Sequence, residues 1–192
     1  MLGPIIPSKL IAKTASAVAV TIPKFIAESQ WEWLGADSGT LNVETPEVNL
    51  GVAVTGGQMI LRKKGSTEKE TVYFGGAGAS LGLSAIPSPV NFSFSGQEMA
   101  ATGTIYRLPA SGGSLDIDEI KGPFIMGEVS GDFNVGGSAC IMLCGGNRFL
   151  ATMPNMTAAF ALSCKAAMVI AGATGTIVPG GISGSAYVGE LL

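Results

Sequence analysis

Residues 77–95, AGASLGLSAIPSPVNFSFS, show the clearest two-residue alternation in the chain. Gly, Ser and Asn separate the apolar residues on both sides of a proline-containing turn. Because successive side chains of a β-strand point to opposite faces, this pattern predicts a hairpin with one apolar face and one small, uncharged polar face. We expect the apolar face to be a membrane or assembly surface, formed by Ala77, Ala79, Leu81, Leu83, Val90, Phe92 and Phe94.

The same period continues along most of the chain. Residues 58–74 predict a second hairpin, whose turn at residues 63–69 is densely charged and therefore solvated. Ser138–Cys144 is an unbroken apolar run, which favours a strand buried on both faces. Met156–Ala171 fits a helix or a strand, and its β-rich flanks favour the strand. About ten to twelve strands separated by Gly and Pro predict an all-β fold, a mainly antiparallel sandwich or barrel with Gly-rich strands.

The first 37 residues differ from the rest, and we expect a short N-terminal appendage that packs on the body. Lys24–Trp33 follows a proline and fits a helix. Residues 38–192 are then a single β-rich domain. Trp31 and Trp33 are candidate anchors of the appendage, either in the core of the body or at a membrane interface, where Trp is enriched.

Charge is scarce throughout the sequence. Charged residues make up 13% of the 192 residues, and the formal net charge is -3. A solvated surface normally carries more charge than this. Much of the uncharged part of the chain is therefore expected to be buried in the fold, covered by a partner or placed against lipid. The 28 glycines argue against a helical bundle, because each glycine inside a helix costs roughly 0.5–1 kcal/mol relative to alanine.

The residue types exclude several functions. The chain has no histidine, which removes the Ser-His-Asp and Cys-His catalytic arrangements and the commonest zinc ligand. Asp116, Asp118 and Glu119 form a carboxylate cluster without the other ligands of a calcium loop, so a solvated loop is the better interpretation. The glycine-rich segments at 76–82 and 169–175 lack the following helix that a phosphate-binding turn requires. We therefore expect no enzyme activity, no cofactor, no metal and no nucleic-acid partner.

Three cysteines, Cys140, Cys144 and Cys164, cannot form a complete disulfide framework. Free thiols favour synthesis in a reducing compartment. The start of the chain lacks the features of a signal peptide, so export would follow a non-classical route. The sequence indicates no further localisation.

Three functions fit these features. The first is a membrane-associating, pore-forming protein, because the predicted hairpin tolerates lipid on one face and water on the other. The second is a self-assembling structural or interaction protein whose partners are copies of itself. The third is a β-barrel that holds an apolar small molecule, for which the sequence gives no specific indication.

Overall fold

Eight antiparallel strands form a closed β-barrel in the computed structural model. The structure describes residues 27–44, 50–83, 90–95, 102–132, 136–153, 155–173 and 182–192. The prediction of an all-β fold, with a barrel as one of its two forms, is confirmed.

The described strands and helices follow one another in a simple order. The strands are β1 (Ala27–Glu44), β2 (Leu50–Lys63), β3 (Lys69–Leu83), β4 (Val90–Ser95), β5 (Thr102–Arg107), β6 (Gly122–Asp132), β7 (Gly136–Cys144), β8 (Ala166–Ala173) and β9 (Ile182–Leu191). A 3₁₀ turn spans Pro109–Ser111, and the helices are α1 (Ile117–Ile120), α2 (Arg148–Thr152) and α3 (Thr157–Ser163).

The barrel wall runs β1-β2-β3-β9-β6-β7-β8-β5 and returns to β1. The first part of β1 pairs with β5, with Ala27 opposite Arg107, and its second part pairs with β4, with Ser38 opposite Ser95. β4 and β5 therefore both run antiparallel to β1, one beyond the other, like two pieces of one interrupted strand.

The two ends of the barrel differ in their packing. At the core end, β1, β3, β6 and β8 begin and β2, β5, β7 and β9 end; the opposite end is the far end. The apolar core fills the core end, where α1, α2 and α3 also lie. Its most deeply buried large side chains are Tyr187, Phe124, Phe160, Met59, Leu61, Ile105, Leu115, Ile120, Met142, Met168, Leu191 and Val72.

Phe124 shows why the strands near the core need glycine. A Cβ atom at Gly76 would lie 3.0 Å from Cζ of the Phe124 ring, and one at Gly189 would lie 2.6 Å from the same atom. Glycine at both positions therefore leaves room for the ring. This agrees with the interpretation that the glycines at 76–82 serve strand packing rather than phosphate binding.

Both tryptophans face the barrel interior. Trp31 is 8% exposed, and its Nε1 donates to the Leu115 carbonyl oxygen at 2.7 Å. Trp33 packs against the core, and its ring lies against Gly103. The structure therefore places both side chains in core packing rather than on the outer wall.

We predict that Trp31→Phe is more destabilising than Trp33→Phe. The first substitution removes the hydrogen bond to Leu115, which is worth about 1 kcal/mol. The Nε1 of Trp33 is buried without an acceptor among the described residues. The second substitution therefore removes the free-energy cost of burying a donor that makes no hydrogen bond. Urea unfolding of the two variants measures the difference, and equal free energies of unfolding would contradict it.

Local propensity misplaced two elements. The predicted helix Lys24–Trp33 is wrong for residues 27–33, which belong to β1 because β2 and β5 both offer backbone partners there. Residues 1–26 lie outside the described part, and the predicted boundary at 37 falls inside β1. Met156–Ala171 is a strand only in its second half, since α3 turns Phe160 into the interior at 1% exposure.

Two predictions about strand surroundings were also wrong. β3 and β4, the two halves of the hairpin predicted at 77–95, do not pair with each other, because β3 lies between β2 and β9 while β4 lies beside β1. Ser138–Cys144 is not buried on both faces, since Ala139 and Ile141 are exposed on the outer wall. The hairpin predicted at 58–74, with its charged turn, is confirmed.

Candidate functional site

The polarity of the barrel wall reverses along its strands, as β2 shows. Near the core end, Met59 and Leu61 face inward at 1% and 0% exposure, while Arg62 faces outward. Toward the far end, the inward residue is Thr55 at 4% exposure, and the outward residues Val52 and Val54 are 64% and 51% exposed. The far part of the strand thus carries its apolar side chains on the outside.

The exposed apolar residues of the far part form a surface that we call the outer belt. The register connects them from strand to strand: Ala77 lies between Val54 and Val188, and Ala79 lies between Val52 and Ala186. The belt extends over six neighbouring strands of the barrel. Its described members are Val52, Val54, Ala77, Ala79, Val129, Ala139, Ile141, Ala171, Ala186 and Val188.

Behind the belt, the inner wall combines small and polar side chains with Ile170, which lies in register with Cys140. Glu128 lies two residues beyond the buried Met126, and therefore on the same inward face. It is in register with Cys140 on one side and Ser185 on the other. Burial raises the pKa of the Glu128 carboxyl, and burial together with this carboxylate raises the pKa of the Cys140 thiol to about 12.

Glu128 is expected to make folding stability depend on pH. The pKa of Glu128 is higher in the folded than in the unfolded chain, because ionising this carboxyl costs more free energy when it is buried. Folding stability therefore rises as pH falls through the folded pKa. Glu128→Gln removes this penalty and should stabilise the protein by about 1 kcal/mol at pH 7. Urea unfolding at neutral and acidic pH measures the gain, which should vanish below the unfolded pKa of about 4.3.

Glu68→Gln is the matched control for this prediction, because Glu68 lies in the exposed turn between β2 and β3. It should change stability by no more than about 0.5 kcal/mol at either pH. An unchanged or lowered stability of Glu128→Gln at neutral pH would contradict the prediction.

All three cysteines are free, as predicted. Cys144 and Cys164 are buried, and burial raises the pKa of each thiol, in Cys164 to about 11. A thiol whose pKa lies this far above neutral is a poor nucleophile at neutral pH. The cysteines therefore offer no activated catalytic group.

Charged side chains gather at the core end in what we call the charged collar. Its described ion pairs are Arg62–Glu32 at 2.7 Å, Lys64–Glu28 at 3.3 Å, Lys121–Asp118 at 4.0 Å, Lys165–Glu119 at 3.0 Å, and Arg148–Glu190. Surface pairs of this kind contribute little stability, about 0–1 kcal/mol each. Their effect on the surface is to surround the core end with charge.

A shallow cleft of about 500 Å³ lies within the collar, lined by residues that include Asp118, Glu119, Asn147, Ser163 and Lys165. The Glu119 carboxylate accepts from the Asp116 backbone N–H at 3.0 Å and from Lys165, and these bonds lower its pKa. The carboxylate cluster expected in a solvated loop therefore caps α1 and pairs with lysine. Among the described residues, no group of three potential ligands is arranged to hold a metal ion.

The structure brings only part of the predicted site together. Ala77 and Ala79 lie on the outer belt, whereas the side chains of Leu81, Leu83, Val90, Phe92 and Phe94 lie outside the described part. Sequence reasoning missed the valines of β2, β6 and β9. Their alternation was visible, but it does not say which face remains exposed.

Comparison with models of known protein families, with curated proteins and with solved structures finds no match to this chain. None of the helices in the described ranges is long and apolar enough to cross a bilayer. The distribution of side chains over the barrel is therefore the feature that bears on function.

Proposed function

We propose that this chain is a non-enzymatic β-barrel protein that associates with lipid bilayers through its outer belt. The observation that carries the proposal is the reversal of polarity along the wall. A barrel surrounded by water keeps polar side chains outside, whereas a barrel wall in lipid alternates apolar residues outward and polar residues inward. On β2, the core end follows the first pattern and the far part follows the second.

The extent of the belt favours lipid over a single protein partner. The belt covers six consecutive strands of an eight-stranded barrel, so it faces in several directions at once. A globular partner would contact one side of such a surface and leave the others in water. Lipid acyl chains contact all sides together, and their contact requires no charged group from the belt.

We propose association without a conducting pore through a single barrel. A pore needs a continuous polar path, and the core end is filled by side chains such as Phe124, Met142 and Tyr187, each at most 2% exposed. Protein interiors are close-packed, so buried side chains of this kind are expected to leave no continuous water-filled path. Bound protein should therefore leave vesicles sealed.

Flotation of purified protein with phosphatidylcholine vesicles loaded with a fluorescent dye tests the proposal. We expect the protein to move into the lipid fraction while the dye is retained. Protein that stays in the dense fraction over a wide range of lipid concentration would refute membrane association. Dye release in proportion to bound protein would refute the sealed barrel and restore pore formation.

Self-assembly through the same belt is the second candidate, and the small residues of the belt favour it. Ala77, Ala79 and Ala186 are exposed neighbours on β3 and β9, and small side chains let two walls approach closely. Light scattering in detergent-free buffer distinguishes the candidates, because defined oligomers without vesicle binding would favour self-assembly. The barrel also fits the apolar-ligand alternative, but Thr55, Glu128 and Ser185 provide a polar inner wall.

A further inference from the structure

We infer that the barrel enters the bilayer far end first and stops where the outer belt meets the charged collar. Tyr73, Phe149 and Leu192 would then lie at the level of the lipid headgroups. This inference rests on the proposed function and adds the direction and depth of insertion.

The direction follows from the distribution of lysine and arginine between the two ends. Among the described charged residues of the strand termini, the far end carries only the acids Glu44 and Asp132, at the ends of β1 and β6. Every lysine and arginine of the described residues lies at the core end, at or beyond the strand termini that form the collar. Moving a lysine or arginine to the middle of a bilayer costs about 2–4 kcal/mol in a β-barrel. The core end would carry several such residues, whereas the far part of the belt carries none among its members.

Asp37, an exposed acid of β1, marks the same boundary. Asp37 is in register with Gln58 of β2, and Gln58 is in register with Tyr73 of β3. These three residues form one row across the wall, immediately on the core side of the belt. On β9, Val188 and Glu190 are successive residues of the outward face, so the change from apolar to charged side chains occurs between them.

The height of the far part suits a bilayer. β3 continues for ten residues beyond Tyr73, to its end at Leu83. At a rise of about 3.3 Å per residue and a tilt of about 40°, this length projects to roughly 25 Å along the barrel axis. The apolar band of membrane β-barrels is about 25 Å tall.

Exposed aromatic and apolar side chains gather where the belt ends. Tyr73 is 56% exposed and exchanges backbone hydrogen bonds of 3.1 and 2.8 Å with Leu192, which is 67% exposed. Phe149 is 66% exposed and follows Arg148, whose guanidinium pairs with Glu190. Tyrosine and other aromatic residues form girdles at membrane–water interfaces, because one part of the side chain suits lipid and the other suits water.

Depth-dependent fluorescence quenching tests the inference. Single tryptophans are introduced by Ala79→Trp in the belt, Tyr73→Trp at its boundary and Thr67→Trp in the exposed turn of the collar. The inward-facing Trp31 and Trp33 are common to all variants, and the unmodified protein provides their signal. Vesicles contain phosphatidylcholine brominated either near the headgroup end or near the methyl end of the acyl chain.

We expect at least twofold quenching of the Ala79→Trp probe by lipid brominated near the methyl end. The Tyr73→Trp probe should respond more strongly to shallow bromine, and the Thr67→Trp probe to neither lipid. Ala186→Trp reports the same part of the belt if Ala79→Trp fails to fold.

The outcomes separate the two proposals. Failure of the unmodified protein to float with vesicles would overturn the proposed function itself. Floating protein with a strongly quenched Thr67→Trp probe, or with equal quenching at all three positions, would overturn only the direction and depth.

Discussion

Replacing Val54 and Val188 together by lysine is expected to abolish vesicle binding while the barrel stays folded. Both side chains are about half exposed and flank Ala77 in register, so the substitutions place two charges in the middle of the outer belt. Each charge costs about 2 kcal/mol at intermediate depth in a bilayer. A total of about 4 kcal/mol lowers the partition coefficient roughly 1,000-fold, which vesicle flotation against lipid concentration measures.

Thr67→Lys with Thr71→Lys is the matched control, because both residues are exposed beside the charged collar. This variant adds the same charge and should bind vesicles as the unmodified protein does. Undiminished vesicle binding by the variant with both Val54→Lys and Val188→Lys would mean that the outer belt does not mediate association with lipid. If that variant instead converted oligomers of the protein to monomers, copies of the chain rather than lipid would cover the belt.

The fold class was predictable because alternation is a local signal. The hairpin at 58–74 needed only two alternating segments and a charged turn between them, and its strands pair as expected. The closure of the barrel was not predictable in this way. It depends on strand pairings such as that of Leu81 with Gly184, two residues that lie far apart in the chain. The sequence around either residue gives no indication of its partner.

The candidate surface was predictable in composition but not in orientation. Val52 and Val54 alternate with Gly51, Ala53 and Thr55, and the same pattern fits a strand with its valines inside or outside. The core decides between them, because the inward-facing Met59 and Leu61 at the other end of the strand fix Thr55 inside and Val52 and Val54 outside. That coupling between the two ends of β2 appears only once the strand is known to be continuous.

Replacing Gly78 by alanine is expected to disrupt the barrel. A methyl group at this position would overlap the carbonyl oxygen of Ala186 on β9, and the neighbouring backbone atoms of Ala186 and Tyr187 leave little room for adjustment. β3 and β9 join the N-terminal and C-terminal parts of the wall, so separating them opens the closed sheet. We expect a loss of more than 4 kcal/mol in the free energy of unfolding, measured by urea unfolding, or no folded protein.

Gly75→Ala on the same strand distinguishes this clash from a general intolerance of substitution. Gly75 is exposed, and a methyl group there would meet no atom within 4 Å. Alanine at such a position lowers the entropy of the unfolded chain and should be neutral or stabilising by about 0.4–1 kcal/mol. Equal losses in the two variants would mean that close contact between β3 and β9 at Gly78 does not hold the barrel closed. A folded Gly78→Ala variant with unchanged stability would contradict the predicted clash with the Ala186 carbonyl oxygen.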